Sequence, residues 1–515
     1  MESGPAAPHA WWKIALGPGL AALMLILRPG DDLQVAAMAG VALWMAAWWI
    51  SEAVPVAVTA LLPLVLLPLA DIAPVSDVAV NFGRSTIFLF LGGFFIALAL
   101  EESGAHRRVA LAIVARVGSR PAQLVLGFML ATWALSMWIS NTSTTMLMLP
   151  IALSVLSTAR ERGTDERELS GFAVTLLLGI AYAANMGGMA TLVGTPPNLA
   201  FSRLFTQIFP GAPEIGFFQW MQLGLPFSIA FLFSGWWLLT RVIQRLPRGE
   251  MLGGREVIAG LRAQLGPLRR DEAVSMSVFA VTALLWMTSS GARFGELEIP
   301  GWRDLLGLAG AVDDSVVAVA MAILLFAWPS RDRPGQRLLE WRMTSRVPWS
   351  VLLLFGGGFA LADGFTLSGL SAWAGGHFEV LADLPPWLLI VAVSLLLTFL
   401  TELTSNIATA EMALPILATA SLTLGVDPRL LMVPATLSAS CAFMMPVATP
   451  PAAIVYGSGL VPIGRMVRAG IWFNLLGVAL LLLALSLLGD AVLGIEKHGL
   501  PDWAVPAGQL APAER

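Results

Sequence analysis

The stretch Trp138-Ile-Ser-Asn-Thr-Ser-Thr-Thr-Met146 decides the fold, because it sets a polar, uncharged segment between two long apolar ones. The pattern returns 265 positions later as Leu403-Thr-Ser-Asn-Ile-Ala-Thr-Ala-Glu411. A proline follows each copy at the same offset, at Pro150 and Pro415, and a glycine cluster precedes each copy, Leu91-Gly-Gly-Phe94 and Gly356-Gly-Gly-Phe359. An agreement of this length indicates an internal duplication.

The composition indicates a polytopic membrane protein. Hydrophobic residues make up 57% of the 515 positions and charged residues 12%, where a soluble domain has about 25% charged residues. The mean hydropathy is +0.77. Since a spanning helix needs about 20 mostly apolar residues, we predict an all-α protein with eleven transmembrane helices and two re-entrant hairpins. One cysteine excludes an internal disulfide, and the four histidines have no metal-ligand spacing.

The duplication divides the chain into two repeats. We predict an N-terminal segment and first helix at 1–34, a first repeat at 35–243, a loop at 244–271, a second repeat at 272–490 and a tail at 491–515. Each repeat holds a hairpin and a later helix broken by a Thr-Pro-Pro motif: hairpins at 121–159 and 385–424, broken helices at 172–208 and 429–459.

Charge placement predicts the orientation of these spans. If the N-terminus is cytoplasmic, 22 of the 30 basic residues fall on the inner side, as the enrichment of Lys and Arg in cytoplasmic loops requires. Eleven spans then put the C-terminus outside. Because five spans separate the hairpins, they enter from opposite faces, which is the inverted repeat of secondary transporters with a site near the membrane midplane.

The polar motifs predict what that site holds. Backbone that is not helical is tolerated at membrane depth where it lines a cavity or is buried in protein. Neutral oxygens suit a weakly held monovalent cation, while helix N-termini at Thr142, Ile407, Pro196 and Pro450 suit an anion. Gly194 allows a backbone carbonyl to approach closely. We therefore predict a cavity that binds sodium and an anionic solute together.

Other features leave alternatives open. The glycine clusters at Gly92 and Gly357 are typical of tight helix packing and equally of ligand contact. Glu402 and Glu411 are functional candidates because they lie inside the membrane, but a structural hydrogen-bonding role for Glu402 is equally compatible with the pattern. The Arg-rich segment 241–270 is interpreted as a topology determinant, not as a nucleic-acid site.

The chain resembles the divalent-anion:sodium symporters, the family of sodium-coupled dicarboxylate, citrate and sulfate transporters. The resemblance covers nearly the whole chain and rests on these motifs: Ser51-Glu-Ala-Val-Pro55, the two Ser-Asn tips, Gly194-Thr-Pro-Pro-Asn198, Phe443-Met-Met-Pro-Val-Ala-Thr-Pro-Pro451 and Ile454-Val-Tyr-Gly-Ser-Gly459. Two positions depart from the family pattern: Ile407 stands where many members have Thr, and Ala452 where Asn is usual.

The resemblance implies a homodimer in a bacterial inner membrane, each protomer with a scaffold and a transport domain that moves as an elevator. It implies a first sodium site at Ser136, Ser140, Asn141 and Gly194, and a second at Thr401, Thr404, Asn406 and Ala448. It places the substrate at Asn141, Thr142, Thr195, Pro196, Asn406, Thr449 and Pro450.

The expected function is sodium-coupled import of a C4-dicarboxylate such as succinate, malate or fumarate, with no organic cofactor. A sodium-independent dicarboxylate exchanger and a sodium/sulfate symporter on the same fold are the alternatives. An intramembrane enzyme is disfavoured, because these segments hold no histidine or paired aspartates to serve as base or metal ligands. A passive channel is disfavoured, because inverted broken helices favour alternating access.

Overall fold

Helices dominate the computed structural model, which describes residues 11–118, 120–246, 254–289, 292–294, 297–308, 311–378, 384–496 and 499–504. Within these residues, seven helices are long and apolar enough to cross a membrane, and further apolar helices are shorter. The all-α membrane fold predicted from the sequence is confirmed. A two-stranded antiparallel sheet that the sequence did not predict joins β1 (Ala292–Phe294) to β2 (Leu297–Ile299).

The first half of the chain carries one hairpin and one broken helix. Its helices are α1 (Trp11–Leu27), α2 (Leu33–Ser51), α3 (Val56–Thr59), α4 (Leu62–Leu69), α5 (Val75–Val80), α6 (Ser85–Ser103), α7 (Ala105–Val117), α8 (Pro121–Ser136), α9 (Asn141–Glu161), α10 (Glu166–Met189), α11 (Pro196–Ile208) and α12 (Phe217–Trp237).

The second half repeats that order. Its helices are α13 (Gly254–Gln264), α14 (Arg270–Met287), α15 (Trp302–Leu305), α16 (Asp314–Ala327), α17 (Trp349–Leu367), α18 (Leu370–Phe378), α19 (Pro386–Leu400), α20 (Asn406–Thr423), α21 (Arg429–Ser438), α22 (Pro450–Gly457) and α23 (Ile463–Leu493). The hairpin α8–α9 thus corresponds to α19–α20, and the broken helix α10–α11 to α21–α22.

The breaks occur where the sequence cannot continue a helix. Pro196 and Pro450 each stand first in a half-helix, because proline lacks the N–H that an interior position must donate and its φ suits a helix start. The hairpin helices begin at Asn141 and Asn406, one residue before the predicted starts.

Two hydrophobic clusters hold the described residues together. The smaller joins α2, α4, α17 and α18 through residues such as Met38, Leu67 and Leu361. The larger surrounds α10, in which every residue from Gly171 to Met189 is buried. The first hairpin, α12 and α22 therefore pack around α10, whereas the second hairpin packs against α11, α18 and α21. The first helices form a separate flank.

Three segments differ in detail from the predicted spans. The segment from Val56 to Leu69, predicted as one span, is two short helices, α3 and α4. Pro63 has no N–H and cannot donate the backbone hydrogen bond that would continue α3. The loop predicted at 244–271 contains α13, while positions 247–253 lie outside the described residues. Of the tail predicted at 491–515, positions 497–498 and 505–515 lie outside them as well.

Candidate functional site

One large cavity receives the motifs of both repeats. Its volume is about 1170 Å³. The lining includes the four turns that precede or begin helices α9, α11, α20 and α22, contributed by Ser140, Asn141, Thr142, Gly194, Thr195, Pro196, Thr404, Ser405, Asn406, Ile407, Ala448, Thr449 and Pro450. Four helix N-termini thus open into a single space. Helices α9 and α20 can offer backbone N–H groups to an anion, whereas α11 and α22 begin with two prolines, which have no N–H, and act through the helix dipole.

Each hairpin tip contains the same hydrogen bond, from a hydroxyl to the tip asparagine, at equivalent positions. Ser136 donates from Oγ to Asn141 Oδ1 over 2.6 Å. Thr401 donates from Oγ1 to Asn406 Oδ1 over 2.7 Å. Both hydroxyl side chains are fully buried behind the tips. Each bond holds the amide of the tip asparagine in one orientation, so the two repeats prepare matching oxygen positions at the cavity wall.

Asn198 holds the first break together. Its Nδ2 donates to the carbonyls of Gly188 (3.2 Å) and Thr191 (2.7 Å), which the end of α10 leaves without helical partners. Gly188 lies so close to the tip that an added Cβ would stand 2.9 Å from Asn141 Oδ1 and 2.9 Å from Gly194 O. The absence of side chains at Gly188 and Gly194 is therefore what lets the break approach the tip.

Glu402 holds the second break instead. Its carboxylate accepts hydrogen bonds from the backbone N–H groups of Phe443, Met444 and Met445 over 2.7, 2.8 and 2.9 Å. Asn474 adds a fourth from Nδ2, at 2.8 Å. Ala452 stands at the position equivalent to Asn198 and has no side-chain amide that could bind the carbonyls of the second break. The first break is thus fixed through its carbonyls and the second through its N–H groups.

Asn185 of α10 connects the first hairpin tip to the second break, and the sequence analysis missed it. Its Oδ1 accepts from Asn141 Nδ2 over 3.4 Å, and its Nδ2 donates to Ala442 O over 3.1 Å. Asn185 is the amide within the apolar run of α10, and that polarity inside a buried span is the signal that could have identified it. Glu402 was considered from sequence, but its partners were not.

Tight packing explains Gly92 and Gly357. A Cβ added at Gly92 would lie 2.6 Å from the backbone of Ala318, and one added at Gly357 would overlap Ala60. Gly93, by contrast, lines the cavity. Gly92 and Gly357 therefore permit close helix contact, and Gly93 contributes to the shape of the cavity.

Charged side chains surround the cavity away from the tips. Among the described lining residues the basic ones are Lys13 and Arg346. Arg346 forms ion pairs with Glu101 (2.7 Å) and Glu102 (3.0 Å), and Lys13 donates to Ser51 O over 3.0 Å. The space between the tips is left to neutral oxygens, amides and backbone N–H groups.

The structure brings together the residues that the sequence singled out. All seven predicted substrate residues line the cavity, as do Ser140, Gly194, Thr404 and Ala448 of the predicted sodium sites. Ser136 and Thr401 stand behind the wall and reach it through the two tip asparagines. Their binding of sodium or substrate stays a prediction.

Residues 10–495 match the family model of the sodium:sulfate symporter transmembrane region. The chain belongs to this family. The prediction of a transporter rather than an enzyme is thereby confirmed, as is the location of the chain in a membrane. The sodium-dependent dicarboxylate transporter SdcS of Staphylococcus saprophyticus is 39% identical over 489 residues, which are 94% of this chain and 92% of that protein. SdcS of Staphylococcus aureus is 40% identical over the same shares.

Two solved structures share the fold at low sequence identity. MtrF of Neisseria gonorrhoeae superposes with a TM-score of 0.54 and 15% identity, covering 79% of this chain and 83% of that one. The YdaH transporter of Alcanivorax borkumensis gives 0.51 and 17%, covering 80% and 87%. At these identities the likeness concerns the fold alone.

Proposed function

We propose that this protein is a sodium-coupled symporter that imports C4-dicarboxylates such as succinate, malate and fumarate. The observation that carries the proposal is the meeting of four helix N-termini and two asparagine tips in one cavity. Helix N-termini attract anions, and neutral side-chain oxygens attract a hard monovalent cation. The 39–40% identity to sodium-dependent dicarboxylate transporters supports the same assignment.

Charge explains why sodium and substrate would travel together. A dicarboxylate carries two negative charges, and the basic lining residues Lys13 and Arg346 face carboxylates or carbonyls of the protein instead. A helix N-terminus supplies about half a positive charge. That partial charge is spread over the first turn of each helix, whereas sodium ions at Asn141 and Asn406 would place full positive charges beside the substrate. The cation would therefore strengthen substrate binding.

Ile407 favours a dicarboxylate over sulfate. At the second tip it lines the cavity where the first tip has the Thr142 hydroxyl. An apolar surface beside polar tips suits the carbon chain of a dicarboxylate, whereas sulfate presents oxygen on every side. The family's printed description concerns sodium:sulfate symport, so a sodium/sulfate symporter is the second candidate.

We propose further that the cavity opens to the cytoplasm. Its lining includes Lys13, Glu52, Glu101 and Arg346, which all fall on the inner side in the orientation with a cytoplasmic N-terminus. The C-terminus then lies outside. Alternating access would require the hairpins and broken helices to move as one body past the flank that contains α2, α4 and α17, in a homodimer, as the family resemblance implies.

The test is uptake by the purified protein in liposomes. Labelled succinate should accumulate with an inward sodium gradient and not when choline replaces sodium; equal accumulation in choline would refute coupling. Counterflow from preloaded liposomes without sodium would instead reveal the exchanger. Inhibition of succinate uptake by sulfate, together with sodium-driven accumulation of labelled sulfate in place of succinate, would reveal the sulfate symporter.

The site is tested with Asn141→Ala and Asn406→Ala. Each should abolish uptake, while Thr132→Val serves as the matched control. Thr132 is buried in the same hairpin as Asn141, and its hydroxyl bonds within its own helix to Phe128 O over 2.7 Å. Activity retained in both asparagine variants would remove the site assignment.

A further inference from the structure

Four buried hydroxyl groups stand without hydrogen-bond partners around the second hairpin. They are the side-chain oxygens of Ser394 and Thr398 on α19, of Ser438 at the end of α21 and of Ser440 just beyond it. The four residues are 0%, 0%, 0% and 2% exposed. A buried hydroxyl without a partner is destabilising, so unpaired hydroxyls on two neighbouring helices call for a ligand.

One contact sets the two helices that carry these groups against each other. Thr401 Oγ1 lies 2.9 Å from Ala439 O, which places this face of α19 against the last turn of α21. Ser394 and Thr398 stand on that same face, seven and three positions before Thr401, because residues three or four apart are neighbours on a helix. Ser438 directly precedes Ala439 at the end of α21. Ser440 follows two residues after Ser438, and since side chains two positions apart on a helical turn do not face each other, the two serines do not share one site.

The first repeat shows that packing does not require hydroxyls there. The equivalent positions on α8 and α10, 265 and 254 residues earlier, are Met129, Trp133, Ala184 and Met186. The same two helices therefore pack without hydroxyls in one repeat, where the indole N–H of Trp133 is paired with Ser228 Oγ over 2.6 Å. In the other repeat they carry unpaired hydroxyls. The difference indicates a function specific to the second repeat.

A negative group beside the hydroxyls points to the kind of ligand. Glu402 follows Thr401 directly, is 3% exposed and has backbone N–H groups and Asn474 as its hydrogen-bond partners. Among the described residues, no arginine, lysine or histidine forms a salt bridge with it. Asn474 Oδ1 is itself buried without a partner. Glu402 also stands four positions after Thr398, one turn further along the same face. Because buried charges are paired or bind a metal ion, this carboxylate and the unpaired hydroxyl favour a cation.

We propose that the hydroxyls of Thr398 and Ser438 bind an additional monovalent cation, sodium in the transport cycle, behind the second hairpin tip. The proposal rests on the sodium coupling proposed above. It adds a site beyond Thr401, Thr404, Asn406 and Ala448, about 5 Å or more from Thr401 along α19, at a rise of about 1.5 Å per residue. A cation there contacts no substrate and offsets the charge of Glu402 as well as part of the charge of the dicarboxylate.

The experiment compares Thr398→Val and Ser438→Ala with Thr436→Val. Thr436 is the matched control, because it is fully buried on the same helix as Ser438 and its hydroxyl is paired with Met432 O over 2.7 Å. Thermal unfolding of the purified full chain is measured in sodium and in choline without substrate. The ratio of sodium to succinate transported is measured in liposomes.

In choline, we expect Thr398→Val and Ser438→Ala to unfold at a higher temperature than the unaltered protein, since each removes an unpaired hydroxyl. Replacing choline with sodium should raise the unfolding temperature of both variants by less than that of the unaltered protein. Their transport ratio should fall by one sodium ion. Thr398→Ser, which keeps the hydroxyl, should retain both properties.

A sodium response equal to that of Thr436→Val in both variants would overturn the additional site, including the case in which water alone fills it. Failure of the proposed function is distinguishable, because it would appear as succinate uptake by the unaltered protein that does not depend on sodium. The unfolding measurement needs no substrate and is independent of that result.

Discussion

Arg203 of α11 and Glu411 of α20 form an ion pair in which both side chains are fully buried. The two helices come from opposite repeats, and each begins at the cavity. Arg203 also donates to Phe355 O on α17 and lies 4.2 Å from the ring centroid of Phe359. The glycine at 358 permits this approach, because a Cβ there would overlap Glu411. The pair therefore joins both repeats to the flanking bundle at membrane depth.

Breaking this pair on one side should destabilise the protein strongly. Arg203→Met or Glu411→Leu leaves one buried charge unpaired, which costs about 3–5 kcal/mol. The double variant should recover most of that loss, because it removes both charges. Thermal unfolding in detergent measures all three, with Arg160→Met as the control, since the Arg160–Glu166 pair is exposed and worth about 0–1 kcal/mol. Additive losses in the double variant would show that the two charges do not interact.

Gly188→Ala should weaken sodium-driven uptake. The new methyl group would stand 2.9 Å from Asn141 Oδ1 and from Gly194 O, and overpacking of this kind costs about 1–3 kcal/mol. Expressed as an affinity, that loss corresponds to about 5- to 150-fold weaker binding. Gly457→Ala in α22 is the control, because nothing lies within 4 Å of the added carbon. Uptake by Gly188→Ala at the control level would exclude a tight contact at the first tip.

The sequence predicted the parts of this site that duplication and proline make visible. Both tips and both breaks were found because two copies of a polar pattern stand inside apolar sequence. Asn185 and Gly188 were not found, since their role depends on which tip packs against α10. Glu411 was recognised as a membrane carboxylate, but its partner Arg203 lies 208 positions away. No spacing rule connects such residues before the helices are placed.

Ser136→Ala and Thr401→Val should each raise the sodium concentration that gives half-maximal uptake. Each removes the hydroxyl that orients a tip asparagine, and a hydrogen bond of this kind contributes about 0.5–1.5 kcal/mol, or about twofold to tenfold in affinity. The equivalent bonds predict effects of similar size in the two repeats. Sodium titration of succinate uptake measures this, and an unchanged midpoint in both variants would contradict the role of the hydroxyls.

Glu402→Gln should release the segment from Phe443 to Met445. The glutamine keeps the size of the side chain but loses the charge, and hydrogen bonds to a charged group contribute about 1.5–3 kcal/mol each. Cys441 reports on this change, because it is the single cysteine of the chain and is 1% exposed two residues before the segment. Thiol labelling of the purified protein should therefore be faster in Glu402→Gln than in the unaltered chain, with reduced uptake. Glu166→Gln, on the surface, should label at the unaltered rate. If Cys441 stays equally protected in Glu402→Gln while uptake is lost, the carboxylate acts through its charge on the bound cation and not by holding the break.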